Sequence, residues 1–202
     1  MTKREFQDRL KNACAAVAAA EAELTEIDSK FGDADHGLTM AKIAGAISAA
    51  VDGAEGGIQS MLDDAATAVM ALNGGSAVPL WNTWLDGMQE EAPEGDEIDV
   101  AGIKAIFARA FTELDDMSGA KVGDKTMMDA LIPASQAIAA YPGSDENELF
   151  TAAAQAAVQG AEATRQFVSK FDRAKSYGTQ TIGTPDAGAA SMAYFFQGLA
   201  QM

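Results

Sequence analysis

The sequence predicts an all-α fold: an antiparallel up-and-down barrel or bundle of eight helices, a single domain over residues 1–202. Three observations predict it. Period-2 alternation and runs of β-branched residues are nearly absent, whereas apolar residues recur at helical spacing in every long segment. The connections between segments are short, and short helix–helix connections make neighbours antiparallel. Apolar residues reach 48% while aromatics are only 7%, and alanine is abundant, which suits closely packed helices around a real core.

The first expected helix, residues 3–24, carries Phe6, Leu10, Cys14, Val17 and Leu24 on one stripe. The second starts after Gly37 and runs through Ile43 and Ile47 towards Val51, where Gly56-Gly57 breaks the chain. The third holds Met61, Leu62, Ala65, Val69 and Leu72 and stops at Asn73-Gly-Gly75; the fourth covers Trp81, Trp84, Leu85 and Met88. The acidic stretch from Glu90 to Glu97 is the most loop-like part of the chain. A fifth helix presents Ile103, Ile106, Phe107, Ala110, Phe111 and Leu114, and a sixth Met127, Met128, Leu131, Ile132 and Ile138, with Pro133 as a kink or a late start. The seventh begins at Asp145 and is expected to run through Leu149, Phe150, Val158 and Phe167 to a basic end near Lys170 and Arg173. The eighth begins near Pro185 and lays down Met192, Phe195, Phe196 and Leu199.

Charge and cysteine content exclude several functions. Lys plus Arg is 14 against 30 for Asp plus Glu, a net charge of -16 that repels nucleic acid and anionic membranes. It does not exclude a phosphate ligand, because a bound metal inverts the local sign. Cys14 is the only cysteine and falls on an apolar stripe, so no intrachain disulfide forms. Met1-Thr-Lys-Arg-Glu5 leads into no uninterrupted apolar region, and no segment is long and apolar enough to span a bilayer, so the expected location is the cytoplasm.

In an up-and-down arrangement the loops alternate between two ends. Connections 1–2, 3–4, 5–6 and 7–8 share one end, and these are the chemically unusual ones. The first holds Asp28, Asp33 and Asp35 with Gly32 and Gly37. Carboxylates this close repel one another, so the loop is costly to order without a cation. An all-oxygen set favours a hard divalent ion such as Mg²⁺. An EF-hand fits less well, since the twelfth position from Asp33 is Ala44. His36 is the lone histidine, which disfavours zinc; it opens a helix and is read as a contact to phosphate or to the metal shell. Gly74-Gly-Ser76 is either a stop with an N-cap or a close backbone approach to phosphate. The Gly119–Thr126 stretch fails the P-loop pattern, because Asp124 stands where glycine should precede Lys125 and no strand comes before it; Lys125 is read as a surface charge. Arg173 is a phosphate clamp or a helix-dipole partner, and Pro185-Asp-Ala-Gly188 is a helix start placed for a ligand contact.

Taken in order, Gly32-Asp-Ala-Asp-His-Gly37, Gly74-Gly-Ser-Ala-Val-Pro-Leu80, Gly123-Asp-Lys-Thr-Met-Met-Asp-Ala-Leu131, and Arg173-Ala with Asp186-Ala-Gly-Ala189 resemble the dihydroxyacetone kinase L subunit family, DhaL. The resemblance implies an eight-helix α-barrel with the nucleotide at one rim. It implies that Asp28, Asp33 and Asp35 hold two Mg²⁺ ions against the phosphates of ADP or ATP. His36, Gly37, Leu38 and Thr39, then Ser76, Ala77, Gly119 and Met127, and finally Arg173, Asp186, Ala187 and Gly188 line the nucleotide pocket by the same analogy. The implied partners are a DhaK-like substrate-binding subunit that holds the keto sugar and a DhaM-like phosphotransferase-system protein that rephosphorylates the bound nucleotide; a homo-oligomer is compatible with it.

The chain departs from the family at Val78, where glycine is usual, at Ala187, where proline is usual, and in the run Arg173-Ala-Lys-Ser-Tyr177. The metal loop is intact, and the departures fall on the phosphate and adenine side. They leave room for a related kinase acting on a tetrose or a fatty acid, although fatty-acid relatives carry Asp-Gly-Asp-Thr-Gly in the acidic loop. A nucleotide-sensing module without catalysis is the further alternative.

Overall fold

The computed structural model describes residues 1–201. Among them are nine α-helices and two 3₁₀ segments; the β content is one isolated bridge, Thr2 to Glu97. The helices are α1 (Lys3–Ala19), α2 (Glu21–Ser29), α3 (His36–Gly53), α4 (Ile58–Met70), α5 (Ala77–Glu90), α6 (Val100–Ser118), α7 (Met128–Ala140), α8 (Glu146–Ala163) and α9 (Ala187–Leu199). The expected first helix is two. Ala20 leaves helical geometry at φ -89°, ψ 5° and turns α2 away from α1. With α1 and α2 taken as one broken element, the eight-helix barrel stands.

Each helix packs on its chain neighbour, and α9 returns to pack on α1, so the ring closes. One continuous apolar core fills it. Its centre is aromatic: Trp84 meets Phe107, Phe195 and Phe196 edge-on at centroid separations of 5.4–6.1 Å. These edge-to-face contacts suit ring quadrupoles and fix the centre where α5, α6 and α9 meet. Cys14 is core, as its stripe predicted. Pro133 lies inside α7. No described helix is long and apolar enough to cross a membrane.

The two ends of the barrel satisfy their helix starts differently. At one end Thr2 closes a capping box on α1, Asp99 accepts from Gly102 N–H on α6, and Asp145 accepts from Asn147 and Glu148 N–H on α8. The α4 start is satisfied by backbone: Ile58 N–H donates to Gly95 O and Gln59 N–H to Pro93 O, both 3.0 Å. These bonds also pin the acidic α5–α6 loop. At the other end Asp186 caps α9, while the N-cap side chains of α3, α5 and α7 make no capping bond; Asp28 Oδ2 accepts from His36 N–H and Thr126 Oγ1 from Met128 N–H instead.

The seventh expected helix is shorter than the apolar spacing predicted. It ends at Ala163, and a 3₁₀ turn over Thr164–Gln166 follows. Phe167 is extended at φ -98°, ψ 150°. Lys170 and Arg173 therefore compensate no helix terminus. Lys170 instead pairs with Asp124 at 2.6 Å, and Arg173 opens a second 3₁₀ segment, Arg173–Thr181.

Candidate functional site

The loop parity holds. The α2–α3, α4–α5, α6–α7 and α8–α9 connections gather at the end where α3, α5, α7 and α9 begin, around one cavity of about 780 Å³. Four helix N-termini, those of α3, α5, α7 and α9, reach its wall. Unpaired N–H groups and the positive ends of helix dipoles make such a convergence favourable for an anion.

The acidic triad forms one lip. One carboxylate oxygen from each of Asp28, Asp33 and Asp35 lies within 4.8 Å of the others. The loop is folded around Asp28, whose Oδ2 accepts from Asp35 N–H at 3.2 Å and His36 N–H at 3.4 Å. Gly32 is required beneath it, since a Cβ there would stand 1.9 Å from Asp28 Oδ1. Ala34 takes a left-handed φ of 63°, which turns Asp33 and Asp35 towards Asp28. Desolvation, then the charges of Asp33 and Asp28, push the Asp35 carboxyl above its ordinary range. An all-carboxylate set this crowded fits a hard divalent cation, which removes the repulsion. Among the described residues Arg173 supplies the only positive charge paired with the triad: its Nη2 lies 3.0 Å from Asp33 Oδ2.

Thr39, Ser76, Ala77 and Met127 line the cavity, as do Arg173, Asp186, Ala187 and Gly188. His36 also lines it, but its ring points into the barrel: Nε2 lies 3.2 Å from Ser191 Oγ, and the ring faces the Ala187 backbone. Burial pushes the imidazole pKa down, opposed by the charge of Asp28.

Gly37, Leu38 and Gly119 lie off the cavity wall. Gly37 backs onto α2, where a Cβ would stand 2.1 Å from Glu21 O. Its role is helix packing. Leu38 is 48% exposed on the outer face. Gly119 is the left-handed C-cap of α6 at φ 63°, and its neighbour Ala120 lines the cavity instead. Val78 also avoids the cavity wall: it is buried against Gly74, whose missing side chain leaves room for the valine methyl.

Lys125 is not a surface charge. It is 4% exposed, its φ is 63°, and its Nζ donates to Thr164 O and Thr184 O. Burial pushes its pKa down, opposed by the charge of Asp186. The lysine ties the α6–α7 loop to both ends of the α8–α9 connection. Asp129 does the same work within its own loop: wholly buried, it accepts from Gly123 N–H at 2.6 Å and Thr126 N–H at 2.8 Å. Nothing in the sequence singled out Asp129 as a loop anchor. The available signal was an aspartate three residues after Thr126, the spacing at which a side chain reaches back to a helix start.

The fold and the site together define a helical barrel whose one rim brings a three-carboxylate cluster beside four helix N-termini. The chain belongs to the DAK2 domain family, whose model matches residues 30–201. It is 37% identical over 183 residues to a D-erythrulose kinase of Mycolicibacterium smegmatis, covering 88% of this chain and 32% of that protein. It is 28% identical to the ADP-binding subunit DhaL of the PEP-dependent dihydroxyacetone kinase of Escherichia coli K12, covering 93% of this chain and 91% of that one. Among solved structures, the dihydroxyacetone kinase of C. freundii in complex with AMP-PNP and Mg²⁺ superposes with a TM-score of 0.72 at 25% identity, over 96% of this chain and 33% of that one. The chain thus spans about a third of the erythrulose kinase it matches and nearly all of the separate ADP-binding subunit.

Proposed function

We propose that this chain is the nucleotide-binding, phosphoryl-transfer unit of a kinase for short-chain ketoses, the ketose being carried by another domain or subunit. The observation that carries the reading is the meeting of the Asp28–Asp33–Asp35 cluster with four helix N-termini around one cavity. A polyphosphate alone would be repelled by the carboxylates, and a cation alone would leave the uncapped helix starts unused. A metal–nucleotide complex uses both.

Asp28, Asp33 and Asp35 would hold Mg²⁺, which when bound neutralises charge on the phosphate oxygens during transfer. The positive dipole ends of α5 and α9 would orient the phosphate chain, and Arg173 stands at the mouth to meet its free end. The terminal phosphoryl group passes to a hydroxyl oxygen of the ketose as its bond to the nucleotide's bridging oxygen breaks. The hydroxyl proton leaves to a base on the ketose-bearing partner. The match to a separate ADP-binding subunit supports a layout in which the nucleotide stays bound and a phosphotransferase-system donor recharges it. The higher identity to the erythrulose kinase than to the dihydroxyacetone kinase subunit favours a four-carbon acceptor over a three-carbon one.

The test is calorimetric titration of the chain with ADP in Mg²⁺ and in EDTA. Binding at least tenfold tighter in Mg²⁺ is expected, because phosphate otherwise faces three uncompensated carboxylates. Equal affinities overturn the site.

A further inference from the structure

The triad already has a cation: a side chain from the far side of the cavity. The Arg173 guanidinium sits 3.0 Å from Asp33, 140 residues away in sequence (173 minus 33). A second contact holds the same segment over the acidic loop, with the Phe31 and Tyr177 rings at a centroid separation of 5.2 Å. The segment between is bounded by left-handed backbone on both sides, at Asp172 (φ 50°) and Gly178 (φ 55°). A non-glycine residue at such a φ is held there by its surroundings. The arginine is thus aimed at the acidic loop by backbone geometry and by an aromatic contact.

We propose that Arg173 is an internal counter-ion that occupies the metal cluster when no ligand is bound and is handed from Asp33 to the nucleotide's phosphate when the metal enters. The inference rests on the metal–nucleotide reading above and specifies how that site is loaded. Its physical content is exposure. The side chain of Arg173 is 70% exposed and that of Asp33 43%. An ion pair this wet holds by only about two- to fivefold in an equilibrium constant. It quiets the repulsion among the carboxylates without blocking them, and a divalent cation displaces it. The displaced guanidinium is then free for the phosphate, whose oxygens accept its paired N–H donors. Metal and nucleotide therefore bind with positive coupling: metal alone must evict the arginine into water, whereas metal with nucleotide gives it a new partner.

The experiment measures binding, with Mn²⁺ as the metal probe read by electron paramagnetic resonance and Mg²⁺–ADP by calorimetry. Wild type is compared with Arg173→Gln, Arg173→Lys and a charge-matched control, Arg109→Gln, whose arginine pairs with Glu90 and Glu113 on the barrel wall. Arg173→Gln should bind Mn²⁺ alone about two- to fivefold tighter than wild type, bind Mg²⁺–ADP more weakly, and so lose part of the coupling. Arg173→Lys should stay near wild type for Mn²⁺ alone, and Arg109→Gln should change neither. Unchanged or weaker Mn²⁺ binding in Arg173→Gln, with Mg²⁺–ADP binding reduced, overturns the hand-over and leaves the arginine a phosphate ligand only. Failure of the underlying reading looks different: Asp33→Asn would keep wild-type affinity for Mg²⁺–ADP.

Discussion

Asp35→Asn should make the ligand-free protein more stable while removing its response to metal. Asp35 is the N-cap of α3, but its side chain makes no capping bond, so the amide loses no hydrogen bond the carboxylate had. What the substitution removes is charge. At the 4.8 Å limit of the cluster, one like-charge pair costs about 0.9 kcal/mol in water and about 3.5 kcal/mol at an effective dielectric of 20. Asp35 is exposed, so the lower figure applies. Two such repulsions, from Asp28 and Asp33, less the attraction of Arg173, leave about 1 kcal/mol. For a chain of this size that raises Tm by about 2–4 °C. The assay is thermal unfolding by circular dichroism in EDTA, then in Mg²⁺ with ADP. Wild type should start lower and rise on ligand addition, and the variant should start higher and stay. A variant that melts below wild type in EDTA refutes the reasoning, because it would make Asp35 a structural member of its loop.

Three further outcomes follow from the same geometry. Lys125→Met strips the cation from two carbonyls that tie the α8–α9 connection down; urea unfolding should show a loss of about 1–3 kcal/mol, and unchanged stability would contradict the burial. Gly37→Ala drives a methyl group into Glu21 O, so it should cost about 1–3 kcal/mol by the same assay without a specific loss of nucleotide affinity at a temperature where the variant is folded. Burial pushes Asp186 up to about 7 from its ordinary 3.8, so the folded form keeps a proton that the unfolded chain has lost. Its contribution to stability is therefore full below about 4 and falls as pH rises through 7. Asp186→Asn still accepts from Ala189 N–H, and should flatten this part of the stability–pH curve and tighten nucleotide binding at pH 8; an unaltered pH curve would count against the buried carboxyl.

Features whose causes lie within a helix turn were legible in the sequence; features whose causes lie across the barrel were not. The stripes of α4, α5, α6 and α9 place their core residues correctly because one face of each meets the interior. The acidic loop could be read because three carboxylates in eight residues need a counter-charge wherever they fold. Lys125 was misread because its acceptors lie 39 and 59 residues downstream, and a lysine without visible partners looks like solvent-facing charge. Gly37 is placed at the nucleotide by the family resemblance, and the close approach to α2 that its missing side chain permits lies outside what a motif can show. The seventh helix was drawn too long because apolar spacing continues to Phe167, yet Thr164 stops it by turning its hydroxyl back to Ala161 O at 2.5 Å. The break at Ala20 has no glycine or proline to announce it.

The location of the site came from parity, and capping shows why parity worked. N-cap side chains close the starts of α1, α6 and α8 at one end, through Thr2, Asp99 and Asp145, whereas at the other end Asp186 alone does so, on α9. A helix that starts without such a residue leaves N–H groups unsatisfied unless backbone, water or a ligand takes them. The N-cap side chains of α3, α5 and α7 make no capping bond at the other end, and these starts face the acidic α2–α3 loop. Asp28 Oδ2 takes the His36 N–H, but the loop still holds three carboxylates crowded together beside these helix starts. A ligand that is anionic on one side and cationic on the other joins them, which is the charge pattern of a metal-bound polyphosphate. The crowding of carboxylates beside these helix starts is therefore what the proposed ligand answers to.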